Sequence, residues 1–426
     1  MKKKKYWFKI DNAGKVFPAI SNDNRTNTFR LSMTLVNEIN KDVLEQAVQM
    51  ILPRFEAFAV KIQNGIFWQY FSENHRAYRV EKEGSILNKY VHPRNNKGYL
   101  FKVYYYDNRI TLETFHALSD GFGSLSFLIS IVYQYLILLG NKMDSEGMIL
   151  GIKPIQPKEN EDSFLVNYDK NMIKKMTEEN AFHFKGELFD YGFSHLFSLK
   201  LSLVELKKVA KEKYNSTITE FFASTLCYCI MRQNADFYKQ KKPLKLFIPI
   251  NLRPFFDSIT LRNFSLYLKT VFNPEDHLLD FTAIIKSVKN QFKDQVDKNV
   301  LKSRISGYVS LEKAWWLRFL PAFIKNLAFK IGYDILGTKI NTASFSNLGY
   351  VKLPKDMQKH IKDVNFVIGG FGIGIGSIGY QNNINLNFTS RIKDVSLFKS
   401  VSDFFTSEGI AVNAISNYRE AYDELL

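Results

Sequence analysis

The chain has 426 residues, 46% hydrophobic and 23% charged, with 37 Phe, 22 Tyr and 4 Trp. This is apolar material for about two or three domains, and it excludes a disordered, collagenous or low-complexity chain. Two cysteines exclude a disulfide scaffold or a Cys-rich zinc module. The net charge of +16 favours anionic partners: a nucleic acid, a membrane surface or a phosphorylated substrate such as coenzyme A. Lys, Asn, Ile, Phe and Tyr are all abundant, as in chains from AT-rich genomes, so charge alone does not require such a partner. Lys2 to Lys5 are followed by Lys9 and Asp11, so no signal-peptide apolar region forms. The longest apolar run, Leu125 to Leu139, is broken by Ser126, Ser130 and Gln134 and reads as a buried helix. A cytoplasmic location with reduced Cys227 and Cys229 is expected.

In chain order, Phe29–Val36 reads as a strand, Lys41–Leu52 as an amphipathic helix and Phe67–Phe71 as a short strand. Tyr99–Tyr106 and Arg109–Phe115 form a hairpin across Asp107-Asn108. A Gly-containing turn then leads to an apolar helix starting near Gly123. Residues 140–195, with Pro154, Pro157 and the acidic run Glu159 to Asp162, read as a linker. Leu201–Tyr214 reads as a helix with a basic face. Thr217-Ile218-Thr219-Glu220 is a capping box opening the helix Glu220–Arg232. Cys227 and Cys229 sit two apart in that pattern, facing different sides, with no ligand cluster around them. Leu244–Ile250, Asn365–Ile375 and Ile384–Thr389 read as strands, and Val395–Ile415 as helix then strand. The chain divides into two α/β halves, 1–190 and 191–426. Ala314 to Ile331 combines Trp315, Trp316, Phe319, Phe323 and Phe329 with Arg318, Lys325 and Lys330. It fits a membrane-surface helix as well as a helix packed on a sheet, and Pro321 interrupts it.

The strongest local signal is Phe115-His116-Ala117-Leu118-Ser119-Asp120-Gly121. A His at a strand end, an Asp four residues on and a Gly turn into a helix would present an imidazole rigidly, and imidazole suits proton transfer near neutral pH. By itself such a His is more often a core or surface residue. The other six histidines have no metal-type spacing, and no metal site is expected.

His116-Ala117-Leu118-Ser119-Asp120-Gly121 resembles the HxxxDG motif of the chloramphenicol acetyltransferase-like superfamily. That group includes alcohol acyltransferases, polyketide-associated acyltransferases and the condensation domains of nonribosomal peptide synthetases. Pro53 to Phe58 is similar to the RxExLR-type helix end of condensation domains, and Ile248 to Arg253 to their NLR strand end. Ser216 to Ala223 is similar to the family's helix start after a small polar turn. Ser346-Asn347-Leu348-Gly349 matches an SNLG element of the alcohol acetyltransferase-like branch, which the chain resembles most.

The resemblance implies two chloramphenicol-acetyltransferase-like α/β sandwich halves in a V, with His116 in a tunnel at their junction. It implies an acyltransferase for acyl groups other than aminoacyl groups, moving an acyl group from acyl-CoA to an alcohol or amine. His116 would be the general base. Asp120 and Gly121, with Arg253 as the partner of Asp120, would support the site. Acyl-CoA is then a co-substrate, and no cofactor is expected. Ser346 and Asn347 read equally well as donors to an oxyanion or substrate and as residues of a turn. Phe115 stands where condensation domains carry a first histidine, and no plant-type DFGWG element is present. The nearest match, Gly369 to Gly376, reads as close strand packing or as a bare wall for an acyl chain. The competing readings are a carrier-protein-dependent condensation or release enzyme acting in trans, and a non-catalytic relative. The absence of an appended carrier domain argues against the first, and the presence of both His116 and Asp120 against the second. Peripheral membrane contact is a further expectation. Nucleic-acid binding is not expected, because no basic stripe or known module is present.

Overall fold

The computed structural model describes residues 7–173, 178–190, 193–276, 280–314, 319–333, 339–369 and 372–418. Its N-terminal strands are β1 (Trp7–Lys9), β2 (Thr28–Leu35), β3 (Val60–Asn64), β4 (Gln69–Glu73), β5 (Glu81–Lys82), β6 (Phe101–Tyr106) and β7 (Arg109–Phe115). The C-terminal strands are β8 (His195–Ser202), β9 (Leu244–Asn251), β10 (Ser265–Phe272), β11 (Ala343–Tyr350), β12 (Ile361–Ile368), β13 (Ile373–Tyr380), β14 (Asn383–Ser390) and β15 (Val412–Ser416). The helices that position the site and its surroundings are α1 (Phe17–Ile20), α2 (Lys41–Ile51), α3 (Gly121–Leu138), α4 (Ile218–Gln233), α5 (Phe281–Val296), α6 (Lys298–Lys313), α7 (Ala322–Gly332) and α8 (Ser396–Ser407).

The first lobe is a five-stranded sheet in the order β12-β2-β7-β6-β5, with a three-stranded β1-β4-β3 sheet beside it. The β6–β7 hairpin forms where the sequence places it. Asp107 takes the left-handed conformation (φ 45°) that Asp tolerates at a tight turn. Asn40 caps α2 by accepting from Asp42 N and Val43 N, and Leu44, Ala47, Val48 and Ile51 turn into the core. α3 holds the long apolar run. By length and composition it could cross a membrane, yet it is a core helix: Phe127 stacks on Phe58 and meets Phe101 edge-on.

The second lobe is a seven-stranded sheet, β10-β9-β11-β13-β14-β8-β15, with its core built against α4, α5 and α8. The capping box opens α4 as the sequence requires: Thr217 Oγ1 accepts from Glu220 N, and Glu220 Oε2 accepts from Thr217 N. Cys227 and Cys229 are free thiols within this core, and burial pushes each up to about 12.

Several elements differ from the sequence reading. The expected helix from Leu201 is preceded by strand β8, where His195, Phe197, Leu199 and Leu201 alternate inward. Period-2 burial wins there, and Ser202 starts the helix by accepting from Glu205 N. The single strand expected over 365–375 is two strands, β12 and β13, in different sheets. Gly372, with φ 94°, lies in the break between them. The expected linker is stitched down: Glu159 is buried and holds Arg54 through both carboxylate oxygens, while its carbonyl accepts from Leu261 N.

One strand crosses the expected 190/191 division. β12 pairs antiparallel with β2 in the first lobe, from Ile361↔Leu35 to Ile368↔Phe29. Its other edge faces β13 and β14 of the second lobe. There Asn385 Nδ2 donates to Val364 O (2.8 Å), Asn387 Nδ2 to Phe366 O (2.9 Å) and Thr389 Oγ1 to Ile368 O (2.8 Å). Alternate side chains of one strand thus satisfy alternate carbonyls of the other, in place of a backbone ladder. The approach needs bare backbone on β13. A Cβ on Gly376 would lie 2.5 Å from Phe366 O, and one on Gly374 2.7 Å from Thr389 Oγ1. Gly374 and Gly376 are therefore close strand packing, while a Cβ on Gly372 would meet nothing within 4 Å and Gly370 lies outside the described residues.

Candidate active site

β7 ends at buried Phe115, and His116 leaves the sheet with its N–H donated to Asn27 O (2.9 Å). Four residues later Asp120 caps α3, accepting from Gly123 N. The turn is clamped against the 258–264 loop of the other lobe. Ser119 Oγ donates to Leu261 O (2.6 Å), and a Cβ on Gly123 would lie 2.1 Å from that same oxygen. A Cβ on Gly121 would meet Leu348 of the SNLG segment at 2.4 Å. The approach to backbone requires Gly123, whereas Gly121 faces the end of the Leu348 side chain.

Asp120 and Arg253 form a buried, two-pronged ion pair across the lobes: Nη1–Oδ2 2.8 Å and Nη2–Oδ1 3.1 Å. Arg253 also donates from Nε to Thr260 O, from Nη1 to Asn251 Oδ1 and from Nη2 to Arg262 O. All the guanidinium donors are used. Asp120 accepts in addition from Gly123 N and Phe264 N, so its lone-pair sites are filled as well. Neither group has spare capacity for proton chemistry. Together they clasp the His116 turn to the second lobe.

The imidazole of His116 lies between two rings. Phe17 of α1 stacks on it (centroids 4.7 Å apart, 18° between planes), and Phe29 meets it edge-on at 5.3 Å. Its Nδ1 is 3.0 Å from Asn263 Oδ1. The amide of Asn263 is oriented by its other end, where Nδ2 donates to Asp11 Oδ2 (3.2 Å). With the carbonyl oxygen facing His116, Nδ1 must carry the proton, and Nε2 is left with the lone pair. Asp11 is fully buried; it accepts from Gly14 N (2.6 Å) and sits 3.7 Å from Arg262 Nε. Burial pushes its carboxyl above the ordinary range, opposed by Arg262 and these hydrogen bonds. Burial also pushes His116 below the ordinary imidazole value. Its own backbone carbonyl, Asp120 and Asn263 pull the other way. A depressed imidazole is neutral at pH 7 and can accept a proton.

A cleft of about 160 Å³ opens beside this strand end. Thr26, Asn88 and Tyr90 of the first lobe and Thr389 and Arg391 of the second line it. Thr26 adjoins Asn27, the acceptor of the His116 N–H.

Of the residues singled out in the sequence, His116, Asp120, Gly121 and Arg253 converge here. Ser346 and Asn347 lie on β11, in a stretch with a register shift between Asn347 and Tyr350 and Gly349 at φ 75°. The Asn347 amide is engaged locally, Nδ2 to Thr219 Oγ1 and Oδ1 from Gly349 N. Ser346, half-buried opposite Gly376, has no side-chain hydrogen bond among the described residues. Asp11, Asn263 and Phe17 were not legible in the sequence. Asn263 is 147 positions from His116, and no local spacing signals that pairing. Among the described residues, no group of His, Cys, Asp or Glu is arranged to hold a metal ion. Trp315, Trp316 and Arg318 lie outside the described residues.

No family model matches the chain, and no curated protein matches it significantly in sequence. Solved structures do match in fold. The chain is similar to the TRI3 trichothecene 15-O-acetyltransferase from Fusarium sporotrichioides, with TM-score 0.60, 10% identity and 95% of each chain covered. It is similar to F. graminearum TRI101 complexed with ethyl coenzyme A, with TM-score 0.59, 11% identity, and 95% and 97% covered. It is also similar to the starter condensation domain of rhizomide synthetase RzmA complexed with C8-CoA and Leu-SNAC, with TM-score 0.59, 10% identity, and 94% and 93% covered. The fold is thus the two-lobed, chloramphenicol-acetyltransferase-like α/β architecture of acyltransferases and condensation domains.

Proposed function

We propose that this chain is an acyltransferase that moves an acyl group from an acyl-CoA thioester to an alcohol or amine, with His116 as general base. The observation that carries the reading is the hydrogen-bond chain Asp11–Asn263–His116. It leaves Nε2 of a neutral imidazole as the proton acceptor at the lobe junction. The acceptor hydroxyl gives its proton to Nε2 as its oxygen attacks the thioester carbonyl. A C–O bond forms and the carbonyl oxygen takes the negative charge. The intermediate collapses with cleavage of the C–S bond, and the imidazolium returns the proton to the departing thiolate. A positioned base of this kind contributes roughly 10²–10⁴ in rate. Ser346, whose hydroxyl is uncommitted, is the candidate donor to the oxyanion; Asn347 and Gly121 act as supports of the segment facing it. Asp120 and Arg253 hold the lobes in register.

The neighbouring RzmA domain was captured with both a CoA thioester and an aminoacyl thioester mimic, so the donor test includes both classes. Thiol release is measured from a panel of acyl-CoAs with alcohol and amine acceptors, beside the same acyl groups on a carrier protein. The expected result is transfer from free acyl-CoA, lost in His116→Ala while the fold stays intact by circular dichroism. Transfer only from the carrier protein would overturn the donor assignment, and wild-type turnover in His116→Ala the base assignment.

A further inference from the structure

We infer that the face formed by α7 and the β3–β4 turn docks on an anionic lipid surface. The polarity of α7 is inverted. Lys325 points inward at 3% exposure, its Nζ 3.4 Å from the centroid of the Trp68 ring and donating to Phe67 O. Phe323, Leu327 and Ile331, at i, i+4 and i+8, are 72%, 57% and 49% exposed, with Ile324 beside them. The patch continues onto the neighbouring turn. Ala322 N donates to Ile66 O, and Ile66 and Phe67 are themselves exposed, as is Phe319 just before the helix. Soluble monomers rarely present so many large apolar side chains on one patch, and such a patch marks an interaction surface.

The charge selects the occupant. Between Glu312 and Asp334 the sequence carries Lys313, Arg318, Lys325 and Lys330 and no further acid, and the net charge of the chain is +16. Lys330 is exposed beside the apolar stripe. An outward apolar stripe with an exposed lysine beside it, on a chain of net positive charge, suits the interface of a bilayer with anionic headgroups. The helix that carries this stripe lies near the proposed site. α1 packs against α7, and Phe17 of α1 stacks on His116. Resting on the proposed acyltransferase function, this places the reaction two helices, α7 and the short α1, from the bilayer surface and fits a lipophilic acyl chain or acceptor.

The test is co-sedimentation of the full chain with vesicles of neutral phosphatidylcholine and with vesicles also containing phosphatidylglycerol, without substrate. Binding is expected to the anionic vesicles, weakening as salt rises. Phe323→Glu/Leu327→Glu, at two exposed positions, is expected to lower partitioning on the order of a hundredfold with unchanged thermal stability. Absence of wild-type binding to either vesicle, or binding retained in the double variant, would overturn the inference. So would a wild-type dimer in light scattering that the double variant abolishes, since the face would then belong to a second copy. Because vesicle binding is read without turnover, failure of the acyltransferase reading leaves this result standing on its own.

Discussion

Removing the Asp120 carboxylate leaves the Arg253 guanidinium buried, with two of its five hydrogen bonds gone. It also orphans the N–H groups of Gly123 and Phe264. Breaking one side of a buried ion pair costs about 3–5 kcal/mol, a large share of a total stability of about 5–15 kcal/mol. Asp120→Ala is therefore expected to lose about 4 kcal/mol. Arg253→Met, which keeps the aliphatic stem, is expected to lose a similar amount by leaving the carboxylate buried. The pair should be strongly coupled, since once one partner is gone the other is a liability. The double variant is then expected to be no less stable than either single variant. Urea unfolding of the four proteins gives the coupling directly. Additive losses in the double variant, or either single variant unfolding at the wild-type midpoint, would refute the clasp.

The acid limb of the kcat/KM profile is expected below about 6.5, because burial holds His116 under the ordinary imidazole value and the neutral form persists to lower pH. A limb above that value would contradict the assignment. Asn263→Ala removes the acceptor that fixes the proton on Nδ1 and stabilises the imidazolium. It should lower kcat by roughly fivefold, from a hydrogen bond worth about 1 kcal/mol, and move the acid limb further down; a purely structural residue would leave the limb in place. Gly123→Ala places a Cβ 2.1 Å from Leu261 O and should lower the thermal midpoint, by an overpacking cost of about 1–3 kcal/mol. Asn387→Ala strips the donor from Phe366 O between the lobes and should cost about 1–3 kcal/mol in urea unfolding.

What the sequence determined by itself is local. The strand-end His116, the Asp120 cap four residues on, the Asp107-Asn108 hairpin and the Thr217–Glu220 capping box each depend on groups within a few positions. The resemblance to HxxxDG proteins carried the two-lobed fold from that one motif and its companions. Even so, the alternation of His195, Phe197, Leu199 and Leu201 was present in the sequence, but the helix pattern beginning at Leu201 masked it. Only the tertiary structure decided the rest. Which tautomer His116 holds depends on Asn263 and, through it, on Asp11, 147 and 252 positions away along these two links. That β12 crosses into the first lobe depends on glycines of β13 meeting carbonyls of β12, with side chains of β14 taking the place of a strand partner. That α7 turns its lysine inward and its phenylalanine outward depends on Trp68 and Phe67 offering a ring face and a carbonyl. Periodicity shows that a helix has two faces; the groups that pack against it decide which face is covered.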